Sequence, residues 1–171
     1  MYIKLLGALA AIGACLMAGF SFYSGKKQEY SALVSCRLML QFIRSELHSC
    51  PAELNSVLEN IQDRLDSAAR DFVLALSKSM DRLGEASFSA LWDECIDSQL
   101  TALSKEEKKP LRDLGGVIGR YDTAQQISSI DSTIARMMQM EADRSKRLEA
   151  DRKLSLGLPG ALGLMLVIVL I

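Results

Sequence analysis

The chain has 171 residues, of which 49% are hydrophobic, 24% are charged and only 6% are aromatic. Its 20 basic and 21 acidic side chains give a formal net charge of −1, which excludes the broad basic field of a nucleic-acid-binding protein. The apolar content excludes a disordered chain, and the scarcity of aromatic residues and prolines favours helices over a β-sandwich or barrel. Residues 26–153 hold 40 of the 41 charges, so both ends differ from those of an ordinary cytosolic globular protein.

Two nearly uncharged ends flank the polar middle of the chain, with uninterrupted apolar segments at residues 5–23 and 154–171. As helices these segments are about 28 Å and 27 Å long, close to the ~30 Å hydrocarbon core of a bilayer. We therefore predict an N-terminal transmembrane helix in residues 1–25, a helical domain in residues 26–153 that ends in a charged stalk, and a C-terminal transmembrane helix in residues 154–171. Small residues at four-residue spacing predict a helix-packing face in the first span: Gly7, Ala11, Cys15 and Gly19.

Basic residues lie beside both predicted spans, on the side of the middle domain. They are Lys26, Lys27, Arg144, Lys146, Arg147, Arg152 and Lys153. Because basic residues concentrate on the cytoplasmic side of membrane spans, the middle domain is predicted to be cytoplasmic, with both termini across the membrane. The three cysteines of the middle domain show no paired spacing, which agrees with a reducing compartment.

Apolar residues recur at three- and four-residue spacing in six stretches of the middle domain, which predicts six amphipathic helices. The links are short, so we expect an all-α, antiparallel six-helix bundle bracketed by the two transmembrane helices. The predicted inward positions are Leu33, Cys36, Leu40, Ile43 and Leu47; Leu54, Val57, Leu58, Ile61 and Leu65; Phe72, Val73, Leu76, Met80 and Leu83; Phe88, Leu91, Trp92, Cys95 and Ile96; Leu111, Leu114, Val117 and Ile118; and Ile127, Ile130, Ile134, Met137 and Met138.

Helix ends are indicated by polar pairs, proline and glycine. Pro110 is predicted either to kink the fifth helix or to mark its real start. Gly119 suits the C-terminal cap of that helix. The sixth helix is expected to continue beyond the bundle, through the charged stalk and into the second span. Two pairs with the spacing of a capping box are predicted to open the fifth and sixth helices: Ser104 with Glu107, and Thr123 with Gln126.

The sequence predicts no catalytic residue, no metal site and no cofactor, and hence no enzyme. His48 is the only histidine, which excludes a histidine-rich metal site. Gly115 and Gly116, with Gly119, lack the preceding strand and the following Gly-Lys-Ser/Thr of a phosphate-binding loop. The acidic stretch from Asp93 to Asp97 places carboxylates on one helix face, which is typical of a solvated surface.

Several local patterns occur together along nearly the whole chain. They are the opening Lys-Leu-Leu-Gly-Ala at residues 4–8, Gly19-Phe20, Leu114-Gly115 followed by Gly119, Asp122 and Gln126, and Leu156-Gly157 with Gly160 before the apolar end. With a helical domain between two apolar ends, this pattern resembles the stage III sporulation protein AB family of endospore-forming Firmicutes.

The resemblance implies a non-enzymatic component of the complex that links the mother cell to the forespore during engulfment. It implies a location in the mother-cell membrane around the forespore, beside other stage III sporulation membrane proteins. The family's cytoplasmic domain is similar to helical domains of the platform protein of type II secretion and type IV pilus systems. By fold-level analogy, the expected partner is the secretion-type ATPase of sporulation, stage III sporulation protein AA.

We place the docking surface for this partner on helices remote from the membrane. The expected partner-binding residues are Asp93, Asp97, Gly115, Gly116, Gly119, Asp122 and Gln126. The other expected partner is the lipid bilayer, and no nucleic acid is expected.

Alternative interpretations place the helical domain outside the cytoplasm. A two-span sensor is one; it is expected to carry a signalling module after its second span, and the basic flanks point the other way. A lipoprotein is another, because residues 12–15, Ile-Gly-Ala-Cys, resemble a lipobox. The apolar run continues past Cys15, which opposes lipidation there. A membrane enzyme is disfavoured since no convergent polar cluster is visible near the spans.

Overall fold

The computed structural model describes the backbone of residues 2–49, 54–119 and 122–170, and within these ranges the side chains of residues 13, 17, 21, 23–49, 54–66, 68–119 and 122–151. This part of the chain forms six α-helices: α1 Tyr2–Ser49, α2 Leu54–Ile61, α3 Ser67–Ser79, α4 Phe88–Gln99, α5 Lys105–Gly115 and α6 Thr123–Leu170. Short 3-10 turns, Gln62–Arg64 and Met80–Arg82, follow α2 and α3. No strand occurs in these ranges, which confirms the all-α prediction.

The first and last helices are much longer than the others, at 48 residues each. Helix α6 is continuous from Thr123 to Leu170, so the predicted sixth helix and the predicted second span form one helix. In α1 the predicted span and the first bundle helix form one helix, because residues 24–32 contain no proline and the exposed Gly25 costs only about 1 kcal/mol. The chain clusters into two compact units, one formed by Glu29–Ala142 and the other by the flanking ends of α1 and α6.

The predicted apolar stripes form the core of the Glu29–Ala142 unit. Trp92 is fully buried, with the Phe72 ring edge-on at 4.9 Å between centroids and the Phe88 ring at 5.7 Å. Two predicted inward positions are wrong: Leu83 is 45% exposed and Met138 is 54% exposed. Leu83 follows the Met80–Arg82 turn in an extended conformation, where helical spacing no longer applies. Met138 is exposed because its side chain points about 100° around the axis of α6 from that of the buried Met137.

Ion pairs show that α1 and α6 run antiparallel. Arg37 Nε donates to Glu141 Oε1 at 2.6 Å, and Arg44 forms a two-point ion pair with Asp131. Arg64, just after α2, pairs with Glu46 of α1 at 3.3 Å and lies over the Phe42 ring at 4.3 Å, so the turn that follows α2 packs against α1. Helix α4 packs against both α3 and α5, and short links join the three helices.

The helix ends agree with the sequence at the start of α5 and differ at the end of α5 and the start of α6, and of the two alternatives for Pro110 the start of the helix is wrong. The capping box of Ser104 and Glu107 is present, so α5 begins at Lys105 and Pro110 lies buried inside it rather than at its start. Helix α5 ends at Gly115, and Gly119, with φ +79°, lies in the turn that follows instead of capping the helix. The N-cap of α6 is Asp122, not the predicted Thr123: its Oδ1 accepts from the Gln125 N–H at 3.2 Å.

Candidate partner-binding surface

The exposed sides of α4 and α5 carry a set of linked charges. Asp97 accepts from Arg112 Nη2 at 2.5 Å and lies 3.5 Å from Lys108 Nζ, and both partners come from α5. The hydrogen bond from Arg112 lowers the pKa of the exposed Asp97 carboxyl, so it stays ionised at neutral pH. Glu94 of α4 forms an ion pair at 3.1 Å with Arg82, which lies in the 3-10 turn that precedes α4. The predicted solvated acidic face is thus a surface of paired charges.

Asp93 differs from the other carboxylates of α4. It is half-buried, and its Oδ1 atom is shielded from water without a hydrogen-bond partner in the described structure. A shielded carboxylate oxygen without a donor is costly, so this part of the α4 surface is less well satisfied than the paired Asp97. Among the side chains described, no group of His, Cys, Asp and Glu could hold a metal ion.

Gly115 has a packing role in the interior of the bundle. A Cβ atom on Gly115 would lie 2.3 Å from Trp92 Cδ1, so only glycine lets α5 approach the indole this closely. The indole Nε1–H donates to the Leu111 carbonyl at 2.7 Å, which fixes the ring against α5. Gly116 follows as the C-cap of α5 and is half-buried. Gly115 therefore joins α4 to α5 and is not open to a partner.

The remaining predicted partner-binding residues form the corner between α5 and α6. Gly119 adopts a left-handed conformation, and its N–H donates to Gln126 Oε1 at 3.4 Å. Asp122 caps α6 as described above. The predicted set is therefore split, with Asp93 and Asp97 on the α4 surface, Gly115 in the interior, and Gly119, Asp122 and Gln126 holding the corner.

Sequence reasoning missed Arg82, Lys108 and Arg112 as parts of this surface. Their partners lie 12, 11 and 15 residues away on neighbouring elements, at distances for which a single sequence has no periodic signal. The inward face of α5 was predicted, and it places Arg112 beside the buried Leu111 at the edge facing α4. Only the α4–α5 packing brings the pairs together.

Cys36 and Cys95, the two cysteines whose side chains the structure describes, are both buried. Burial raises the pKa of the Cys36 thiol to about 12, and burial also raises that of Cys95, whose Sγ lies 3.7 Å from Ser79 Oγ. Thiols of raised pKa are poorly reactive at neutral pH. Neither cysteine can therefore report on membrane topology in labelling experiments.

The predicted membrane features fall largely outside the described side chains. This applies to Gly7, Ala11, Cys15 and Gly19 and to Arg152 and Lys153, whereas Lys27, Lys146 and Arg147 are described and exposed, and Lys26 and Arg144 are half-buried. Among the residues whose side chains the structure describes, no helix has the length and apolar character needed to cross a membrane. The segments 5–23 and 154–171 lie mostly outside those residues and stay predictions.

The described part of the chain is that of a small all-helical bundle protein whose first and last helices are 48 residues long. Residues 4–171 match the family model described as Stage III sporulation protein AB (spore_III_AB), and the chain belongs to that family. A solved structure titled "Stage III sporulation protein AB (SpoIIIAB)" is similar in fold, with a TM-score of 0.61 and 21% identity over 69% of this chain and 94% of that one. A comparison with curated proteins found no match.

Proposed function

We propose that this protein is a membrane-anchored, non-enzymatic platform of the sporulation complex between mother cell and forespore. The family match over residues 4–171 is the observation that carries the proposal, because it includes both apolar ends as well as the bundle. The spans lie in residues 5–23 and 154–171, and the basic flanks favour a cytoplasmic bundle in the mother cell. Two tethers restrict the tilting of a rigid bundle more than one does, as a platform requires.

The proposed partner of the bundle is the secretion-type ATPase of sporulation, together with other membrane proteins of the complex. We assign docking to the α4–α5 surface, defined by Asp93, Glu94, Asp97, Lys108 and Arg112. Its paired charges supply a geometrically specific pattern that a partner of complementary charge can recognise. The corner residues Gly119, Asp122 and Gln126 support this surface by fixing the end of α5.

Topology is tested first, by thiol labelling in intact vegetative cells that express the chain. Cys15 and Cys50 are replaced by serine, and a single reporter is added, either Ser56→Cys on the exposed side of α2 or a cysteine appended after Ile171. We expect an impermeant maleimide to label the appended cysteine in intact cells, and Ser56→Cys only after permeabilisation. The reverse pattern would establish an extracytoplasmic bundle, as in the sensor and lipoprotein alternatives.

Docking is tested by charge reversal of Asp93→Lys together with Asp97→Lys. We expect binding of the full chain to the purified ATPase to fall by about tenfold or more, because charges at an interface act through specific pairs. Loss of the exposed Asp97–Arg112 ion pair should cost only about 0–1 kcal/mol. Asp93 is half-buried, so Asp97→Lys alone is measured as well and should also weaken binding. Binding is measured by pull-down and titration, and folding by the thermal unfolding midpoint.

The matched control reverses two exposed carboxylates that form no ion pair in the described structure, Glu59→Lys with Asp71→Lys. This variant changes the net charge by the same amount and should bind within about twofold of the parent chain. Equal loss in both variants would indicate a general charge effect. Unchanged binding of the Asp93/Asp97 variant would place the docking surface elsewhere.

A further inference from the structure

The exposed side of the α1–α6 pair lacks the free charges that cover the rest of the bundle. In residues 30–45 and 123–142 the charged side chains are Arg37, Arg44, Asp131, Arg136 and Glu141, and every one is in an ion pair. Elsewhere on the bundle, exposed carboxylates form no ion pair with any described residue, namely Glu59, Asp66, Asp71, Asp81, Glu85 and Glu106.

Small and apolar side chains occupy this side, which we call the α1–α6 face. On α1, Ser31, Leu38 and Ser45 are exposed at seven-residue spacing, and Leu38 is 39% exposed. On α6, Ala135, Met138 and Ala142 are exposed. Met138 lies seven residues after Asp131 and hence on the side of α6 that pairs with α1.

Leu38 and Met138 lie at the same level of the antiparallel pair. The Arg37–Glu141 and Arg44–Asp131 ion pairs bracket that level on both helices. Of the large apolar side chains described as exposed in the Glu29–Ala142 unit, these two lie on this face and the third is Leu83. Interface centres are depleted in charge and enriched in methionine, and Leu38 and Met138 form an apolar level between the two ion pairs.

Net charge indicates which occupant fits the face. Residues 29–142 carry 12 basic and 18 acidic side chains, a net charge of −6. Two copies that met through α2–α5 would bring unpaired carboxylates together, whereas the α1–α6 face brings no free charge to the contact. A basic partner would be attracted to the unpaired carboxylates on α2–α5 instead, because the α1–α6 face offers it no electrostatic attraction.

We propose that two copies of this chain associate through their α1–α6 faces, with Leu38 and Met138 at the centre of the contact. The same face serves both copies, as in an isologous dimer. Two helices of about 15 residues give a contact of roughly 500 Å² per partner, less than the ~800 Å² of a standard stable interface. Association therefore depends on tethering in a membrane, which is the part of the proposal that rests on the proposed function.

The test uses the full chain in membranes, with Cys15 and Cys50 replaced by serine and the buried Cys36 and Cys95 retained. Met138→Cys is treated with a bis-maleimide before solubilisation, and Leu83→Cys is the matched control because it is also an exposed apolar residue. We expect a product of twice the chain mass that is about fivefold more abundant for Met138→Cys than for Leu83→Cys.

A second variant adds Leu38→Glu to Met138→Cys and should reduce the dimer product by about tenfold, because a carboxylate is then desolvated at the contact. Folding of this variant is checked by its thermal unfolding midpoint. Equal products from Met138→Cys and Leu83→Cys, a product with the mass of another protein, or a dimer that persists with Leu38→Glu would each overturn the proposal. The outcome is independent of ATPase docking, which uses the α4–α5 surface, and the topology experiment tests the tether separately.

Discussion

Replacing Gly115 with alanine is expected to lower the free energy of unfolding by about 2 kcal/mol, even though alanine is the better helix former. The new Cβ would lie 2.3 Å from Trp92 Cδ1 and 2.7 Å from Cγ, well inside any tolerated contact. The indole cannot move aside, since its N–H is bonded to the Leu111 carbonyl and Phe72 lies edge-on against it. Helix α5 must therefore separate from α4, which loses packing on both sides.

Gly116→Ala is the matched control at the next position. A Cβ there meets only the Asp113 carbonyl, at 3.5 Å, and the backbone φ of −75° suits alanine. We expect a change within about 0.5 kcal/mol or a small stabilisation, measured by urea unfolding of the full chain in detergent. If Gly115→Ala were as harmless as Gly116→Ala, the close α4–α5 approach would be incorrect.

Trp92→Ala is expected to have the largest effect on stability, a loss of about 3–5 kcal/mol, because it removes the largest fully buried side chain of the core. Trp92→Phe keeps most of the ring but removes the donor to the Leu111 carbonyl, so its loss should be smaller, about 1–3 kcal/mol. Both values are measured by the same urea unfolding.

The effects of Gly115→Ala and Trp92→Ala on the free energy of unfolding should be strongly non-additive, because the two residues are in contact. Once Trp92→Ala has removed the indole, adding Gly115→Ala should cost nothing or restore up to about 1 kcal/mol through helix propensity. Additive losses in the double variant would show that Gly115 acts through the backbone alone and not through the indole.

The number and class of elements could be predicted from the sequence, and the details of their ends could not. Most stripe residues are buried, because helical spacing is a local property that a single helix imposes on its own side chains. Leu83 and Met138 are the exceptions. A 3-10 turn interrupts the helical spacing before Leu83. Met138 is on the side of α6 that does not face the core. The capping box at Ser104 was correct, whereas the N-cap at Asp122 required the chain direction at the corner to be known.

The candidate surface was predicted in part. Asp97 lies on an exposed side of α4 as expected, whereas Asp93 is half-buried, and the partners of Asp97 follow from the position of α5. The glycine-rich motif that carries the family resemblance is explained mainly by packing and turn geometry. Gly115 permits a close helix approach, and Gly119 permits a left-handed turn.

By itself, the sequence of this sporulation protein determined the all-helical class, the inward stripes and the unequal distribution of charge, since each depends on residue type and local spacing alone. Tertiary structure decided which charges pair across helices, which glycine lies against Trp92, and which side of the bundle is left without free charge. These features arise from residues far apart in the chain, such as Arg37 and Glu141, whose distance depends on how whole helices pack.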